Sequence, residues 1–231
     1  DGFERHCGAP SCQESFTLAD GAAWPAPWTV IGGTALADIQ AGQARLRPVA
    51  SNYSLARLFA PIATRDVEVR FRMVVESEPS QGVGFYVRQN GGYLGGSNPP
   101  GQGYAVFVEG NFRGQPGIGL WKEENGNEIP LAHSAPAVAG PLAGSVYQVR
   151  FRVHQRSATT TYMQARFWLD GTPEPQVWQV AVDDSTPVLQ NISGGIAVDS
   201  WSVILAPNPI TTHTRVDDIS IEQQTSLLAS L

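Results

Sequence analysis

The chain has 231 residues, of which 42% are hydrophobic, 9% aromatic and 16% charged, a globular composition whose 24 Gly and 17 Pro call for many tight turns without a collagen period. A net charge of -6, with 14 Arg against the single Lys122 and no basic tract, gives a nucleic-acid backbone no electrostatic footprint. No run of 18 apolar residues exists, which excludes a membrane-spanning helix by sequence.

The chain opens at Asp1 without an apolar leader, and both a removed leader and a cut chain fit an exported protein: secreted, periplasmic or on the cell surface. Residues 1–13 read as an N-terminal segment. There Gly8 and Pro10 give a turn between Cys7 and Cys12, so a small disulfide loop is expected. A reduced pair or half of a metal site are the alternatives, although two thiols are too few for a closed zinc site. Residues 14–222 read as one all-β domain and 223–231 as a C-terminal tail. Trp24, Pro25, Pro27 and Trp28 form an aromatic-proline cluster expected to plug the core rather than bind a ligand.

Short strands are expected near Ala35–Ile39, Gln43–Pro48 and Ser54–Phe59. From Asp66 onward, alternation with a period of two dominates. Asp66–Val75 sets Val67, Val69, Phe71 and Met73 against Glu68, Arg70 and Arg72. Tyr147–His154 and Met163–Leu169 repeat the device, so these three segments are expected in one sheet with their Arg residues toward solvent. Gly82–Arg88, Tyr104–Glu109, Gly117–Glu123, Ser193–Val198 and Val216–Glu222 complete the set, separated by Gly-, Pro- and Asn-rich stretches such as Asn90–Gly103 and Glu124–Pro130. Many short strands without crossover helices imply a two-sheet antiparallel β-sandwich.

The opening Phe16–Trp28, the Leu169-Asp170-Gly171 turn, the Ser-Gly-Gly-Ile-Ala segment Ser193–Ala197 and the closing Val216–Ile221 together resemble the concanavalin A-like lectin and glucanase jelly rolls of the laminin G-like kind. The resemblance runs from about Glu14 to Glu222. It implies a jelly roll whose concave sheet presents a groove, used for glycan binding in lectins and for catalysis in glucanases and lyases; fold alone does not choose between these.

Alternation in three neighbouring strands collects one group of side chains. With Val83, Phe85 and Val87, then Tyr104, Val106 and Val108, then Ile118 and Leu120 facing inward, Tyr86, Arg88, Phe107, Glu109, Trp121 and Glu123 share the outward surface. Rings among small residues, flanked by charges, suit a sugar: its C–H groups stack on the aromatic faces while charged groups bond its hydroxyls. The loop 90–103 is long enough to fold over that surface, bringing Tyr93 and Asn98 as ligand contacts. The competing reading is an ordinary two-sided core covered by a loop.

Alternation from Val216 to Ile221 puts Asp217 on the side of Ile219 and Ile221, so a buried carboxylate needs a partner. Glu4 resembles the acidic opening that several sugar-binding jelly rolls pair with a closing Asp-Asp to hold a structural calcium. A backbone hydrogen bond, or an ion pair with Arg215 or Arg5, is the alternative. Catalysis has less support. The Glu-x-Asp-x-x-Glu of laminarinase-like relatives is absent, Glu109 and Glu123 lack its same-strand spacing, and Tyr86, Arg88 and Gln89 offer only a faint lyase set. The leading expectation is a carbohydrate-binding, lectin-like module. A polysaccharide-degrading enzyme of the same fold, or a structural or adhesion module of a surface assembly, are the alternatives.

Overall fold

A strand whose side chains alternate in polarity buries only one face, so several such strands must pack as facing sheets. The computed structural model, which describes residues 11–49, 53–77, 81–110, 116–134, 139–203 and 212–224, has this arrangement. Its strands are β1 (Ser11–Glu14), β2 (Thr29–Gly32), β3 (Thr34–Gln40), β4 (Gln43–Pro48), β5 (Tyr53–Thr64), β6 (Val67–Val75), β7 (Gln81–Gln89), β8 (Gly103–Glu109), β9 (Gly117–Glu124), β10 (Asn127–His133), β11 (Tyr147–Ser157), β12 (Thr160–Leu169), β13 (Val180–Asp184), β14 (Gly194–Val203) and β15 (Thr214–Gln223). One 3-10 turn, Pro187–Leu189, is the only helical element among the described residues. Sheet A runs β13-β12-β11-β6-β15-β4-β3, with β1 also paired to β15; sheet B runs β10-β9-β8-β7-β14-β5-β2.

The expected inward faces meet between the sheets. Val67, Val69, Phe71 and Met73 of β6, with Val149, Phe151 and Val153 of β11, share one buried cluster with Val83, Phe85 and Val87 of β7 and Val106 and Val108 of β8. Phe71 stacks on Phe85 across the gap, ring centroids 5.1 Å apart. Trp24 and Trp28 are buried in the same cluster, edge to face at 5.2 Å, as the plug reading expects. The neighbouring strands β6, β11 and β12 carry Arg70, Arg72, Arg150, Arg152 and Arg166 on the outer face of sheet A, as expected, except that Arg166 is buried there under Trp178.

Three departures have local causes. β14 does not stop at Val198 but runs through Asp199 and Trp201, because Asp199 lies opposite Arg57 on β5 and is neutralised there. The stretch 124–130 is not a plain loop: Asn125 and Gly126, at φ 53° and 72°, form a tight hairpin turn that lays β10 along β9. In β15, Asp218 has φ 47° and the register shifts between Asp217 and Ser220. This bulge keeps Val216, Ile219 and Ile221 inward and leaves Asp217 half-buried rather than facing the core, its carboxylate accepting the Asp218 N–H at 2.8 Å. Among the described residues, no helix is long and apolar enough to cross a membrane.

Candidate functional site

The outer face of sheet B is where the expected rings gather. The register sets Phe59, Ala197, Tyr86, Ala105 and Trp121 side by side across five strands, and Arg57, Asp199, Gly84, Phe107 and Gly119 in the adjacent row. Large and small residues alternate so that rings can lie down over their neighbours: a Cβ on Gly84 would stand 2.6 Å from the Phe107 ring. Tyr86, Phe107 and Trp121 make consecutive edge contacts, with centroids at 5.8 and 5.5 Å, in a second apolar cluster with Leu55 and Trp201. Their placement on one outward face is as expected. Their accessibility is not: Tyr86 is 0% exposed, Phe107 1% and Trp121 4%.

Part of the cover is the loop 90–103. Tyr93 and Leu94 pack on the ring cluster, and the Tyr93 hydroxyl donates to Leu55 O at 2.5 Å. The loop is clasped to the β9–β10 turn, since Gly95 N–H donates to Gly126 O at 2.9 Å and Gly126 N–H to Gly101 O at 2.8 Å. Tyr93 thus serves as a half-buried cover, while Asn98 stands exposed on the loop.

Under Tyr93 lies a charged group the sequence reading missed. Arg57 is fully buried; it donates to both oxygens of Asp199 at 2.7 Å, to Glu123 at 2.7 and 3.0 Å, and to Gly92 O at 3.2 Å. Its guanidinium lies 4.4 Å from the centre of the Tyr86 ring, and the Tyr86 hydroxyl donates to Glu128 at 2.9 Å. The signal was present: alternation puts Arg57 between Leu55 and Phe59 on an otherwise apolar face, and such a charge must be paired. Two carboxyl groups share this one guanidinium. Burial pushes Glu123 up to about 7 against the pull of Arg57, and pushes Asp199 up to about 6 in the same way.

A carboxyl whose folded value exceeds its unfolded value binds more protons when folded, so its contribution to stability falls as pH rises from the ordinary range near 4 to the raised value. Burial lowers His133, His154 and His213, which act in the opposite sense. The comparison with Glu123→Gln isolates the carboxyl. Wild type should lose stability relative to that variant between about pH 5 and pH 8 in urea titrations; a pH-independent difference refutes the raised value.

Of the remaining expected contacts, Glu109 is on the face but buried, and Glu123 belongs to the Arg57 cluster. Arg88 is not on this face. It has φ 53°, and the register between β7 and β14 shifts beside it, so the alternation breaks after Val87. Its side chain instead donates to Arg65 O at 2.9 Å, Gln155 at 3.1 Å, Thr161 at 3.0 Å and Leu189 O at 3.0 Å, tying sheet B to β11 and β12 of sheet A.

The face stays open beyond the loop, at the Phe59 end. A cleft of about 350 Å³ is lined by Phe59, Pro61, Ala63, Gln89, Asn90 and Ser193–Gly195. The half-buried Phe59 ring lies over Gly195, where a Cβ would come within 2.4 Å of it. Gln89 donates to Gly92 O at 2.9 Å, the carbonyl that also accepts from Arg57, so the cleft wall and the charged cluster are braced together.

The calcium expectation meets a partial donor set. Glu4 and Cys7 lie outside the described residues, whereas Cys12 is buried on β1. Near the chain ends, buried Glu14 holds the Phe16 N–H on one oxygen at 2.9 Å and leaves the other without a hydrogen bond. Burial, with Asp218 and Glu14 adding, lifts Asp217 to about 6. Among the described residues, which do not include Glu4, no group of three His, Cys, Asp or Glu side chains gathers to hold a metal ion.

No family model matches the chain, and no curated protein matches its sequence. Solved structures do. An alginate lyase in complex with alginate tetrasaccharide superposes with a TM-score of 0.60 at 13% identity, over 94% of this chain and 98% of that one. Carbohydrate-binding module CBM66 from Bacillus subtilis gives 0.55 at 12% identity, over 84% and 94%. A β-glucanase from Bacillus licheniformis gives 0.53 at 13% identity, over 95% and 100%. The fold is therefore the two-sheet jelly roll that these solved structures share; the likenesses do not reach the laminin G-like subtype.

Proposed function

We propose that the chain is an exported carbohydrate-binding module that takes a sugar unit in the Phe59 cleft on the outer face of sheet B. The observation that carries this reading is a half-buried ring lining a shallow, open cleft of about 350 Å³, within the usual size range of small-ligand sites. A sugar's C–H face stacks on Phe59. Asn90 Nδ2 donates one of its two hydrogens to Pro100 O at 3.0 Å, which leaves the other for a hydroxyl, and Ser193 is exposed beside it. Tyr86, Phe107 and Trp121 then act as the scaffold that holds the face rather than as contacts. Names of the superposed proteins, a carbohydrate-binding module and two carbohydrate-active enzymes, support the ligand class.

Binding is favoured over turnover because three carboxyl groups of this face, Glu109, Glu123 and Asp199, are sealed, while the half-buried Glu128 accepts from the Tyr86 hydroxyl. Glu123 and Asp199 are 0% exposed and locked on Arg57, and Glu109 is 1% exposed, whereas glycoside hydrolysis needs two carboxyl groups that reach the scissile bond. Affinity electrophoresis across a polysaccharide panel tests the proposal. At least one polysaccharide should retard the protein, and Phe59→Ala should weaken that interaction roughly three- to tenfold, the worth of one aromatic contact. No retardation by any of them, or retardation by a neutral polysaccharide unchanged in Phe59→Ala, removes the cleft from consideration. Release of reducing ends or unsaturated uronates from the same panel would establish the degrading alternative instead.

A further inference from the structure

The outer face of sheet A carries a second chemical array, on the opposite side of the sandwich from the cleft. Arg150 of β11 lies directly opposite Arg70 on β6 and Arg166 on β12, so three arginines form one row across three strands, about 10 Å long at ordinary strand spacing. Like charges directly opposite one another destabilise a sheet unless counter-charges intervene. One comes from within: Glu68, opposite Arg152, accepts from Arg150 at 2.8 and 2.9 Å, from Arg152 at 2.9 Å and from Arg70 at 3.2 Å. The other comes from outside the sheet. Glu174, in the turn that follows β12, reaches over the row to Arg150 at 2.8 Å, to Arg70 at 3.2 Å and to Arg166.

That turn is docked by a few contacts. Arg166 donates to Pro175 O at 2.6 Å, and the Trp178 ring covers the guanidinium groups of Arg166, Arg150 and Arg152 at 4.4, 5.2 and 5.4 Å, while the intervening Val177 is 73% exposed. Within this group four guanidinium groups meet two carboxylates, while beside it Arg72 pairs with Asp218 at 2.9 Å and the exposed Glu222 lies opposite Glu68. The Arg70 and Arg152 side chains remain 39% and 30% exposed.

We propose that this row binds the carboxylates of an acidic polysaccharide, and that Glu174 occupies it as an internal carboxylate when the ligand is absent. The row's chemistry is displayed by its occupant: a carboxylate delivered by a turn is held by three guanidinium groups, whose planar forks match carboxylate geometry. A polymer fits better than a small anion because the positive positions repeat from strand to strand, as the carboxylates of a polyuronate repeat from sugar to sugar. Trp178 supplies a ring for the sugar between them.

Affinity electrophoresis in polygalacturonate, against a neutral glucan and polyphosphate at low ionic strength, tests this. Wild type should be retarded by polygalacturonate more than by either control. Arg70→Gln/Arg152→Gln should weaken the interaction about tenfold or more, as expected for lost charge-assisted bonds, and Glu174→Gln should strengthen it by removing the competitor. Thermal melts establish that each variant is folded, and the double Arg variant carries the test if Glu174→Gln is not. Absence of retardation, equal retardation by polyphosphate, or no change in the folded Arg variant overturns the proposal. Phe59→Ala should leave this interaction intact; if it alone abolishes binding, the polyuronate enters the cleft and the arginine row is only a staple for the turn.

Discussion

Arg57→Met is expected to destabilise the protein by about 3–5 kcal/mol, measured by urea denaturation near pH 8, because it strands two carboxyl groups with no exposure to water. The wild-type cluster is asymmetric: one guanidinium serves Asp199 bidentately and Glu123 through its remaining nitrogen. Removing the cation leaves desolvation unopposed, so the carboxyl groups should take up protons and the cost should shrink toward pH 5. The triple variant Arg57→Met/Asp199→Asn/Glu123→Gln, which removes the charges together, should recover much of the loss, since replacing a whole buried ion cluster is often close to neutral. A single-variant cost below about 1 kcal/mol would mean that water reaches the cluster, a surface-pair value incompatible with a sealed face.

The same cluster shows how far side-chain alternation carries. It assigned Val83, Phe85 and Val87 to the core and Tyr86, Phe107 and Trp121 to the other face, because a period of two is a property of the strand alone. It failed where the backbone leaves that period. Arg88 and Asp218 both adopt positive φ beside register shifts, and there the Arg88 and Asp217 side chains leave their expected sides. Asn125-Gly126 was a readable hairpin signal within a stretch taken as loop. Burial of the rings was not legible at all. Alternation tells which face a residue occupies, not whether something lies on it, and the contact that pins the cover joins Tyr93 to Leu55, 38 residues apart. Arg57 and Asp199 were legible in principle as lone charges in apolar strands, but their partnership spans 142 residues.

Trp121→Ala should therefore act on stability before it acts on any ligand. The indole is 4% exposed, edge-on to Phe107 at 5.5 Å and to His133 at 6.2 Å, and its removal opens a cavity under a clasped loop. Large-to-small replacement at such a site costs about 3–5 kcal/mol, less if the cover settles into the space. Urea denaturation at low temperature measures this loss, and sugar binding by the folded fraction should match wild type because the Phe59 cleft lies at the far end of the row. Phe59→Ala should show a different balance: its ring is half-buried at the edge of the ring cluster, so stability should fall less than in Trp121→Ala while binding weakens. If Trp121→Ala instead leaves the denaturation midpoint unmoved and abolishes binding, the loop 90–103 opens in solution and the sugar stacks on the inner rings, which would move the site from the cleft to the centre of the sheet.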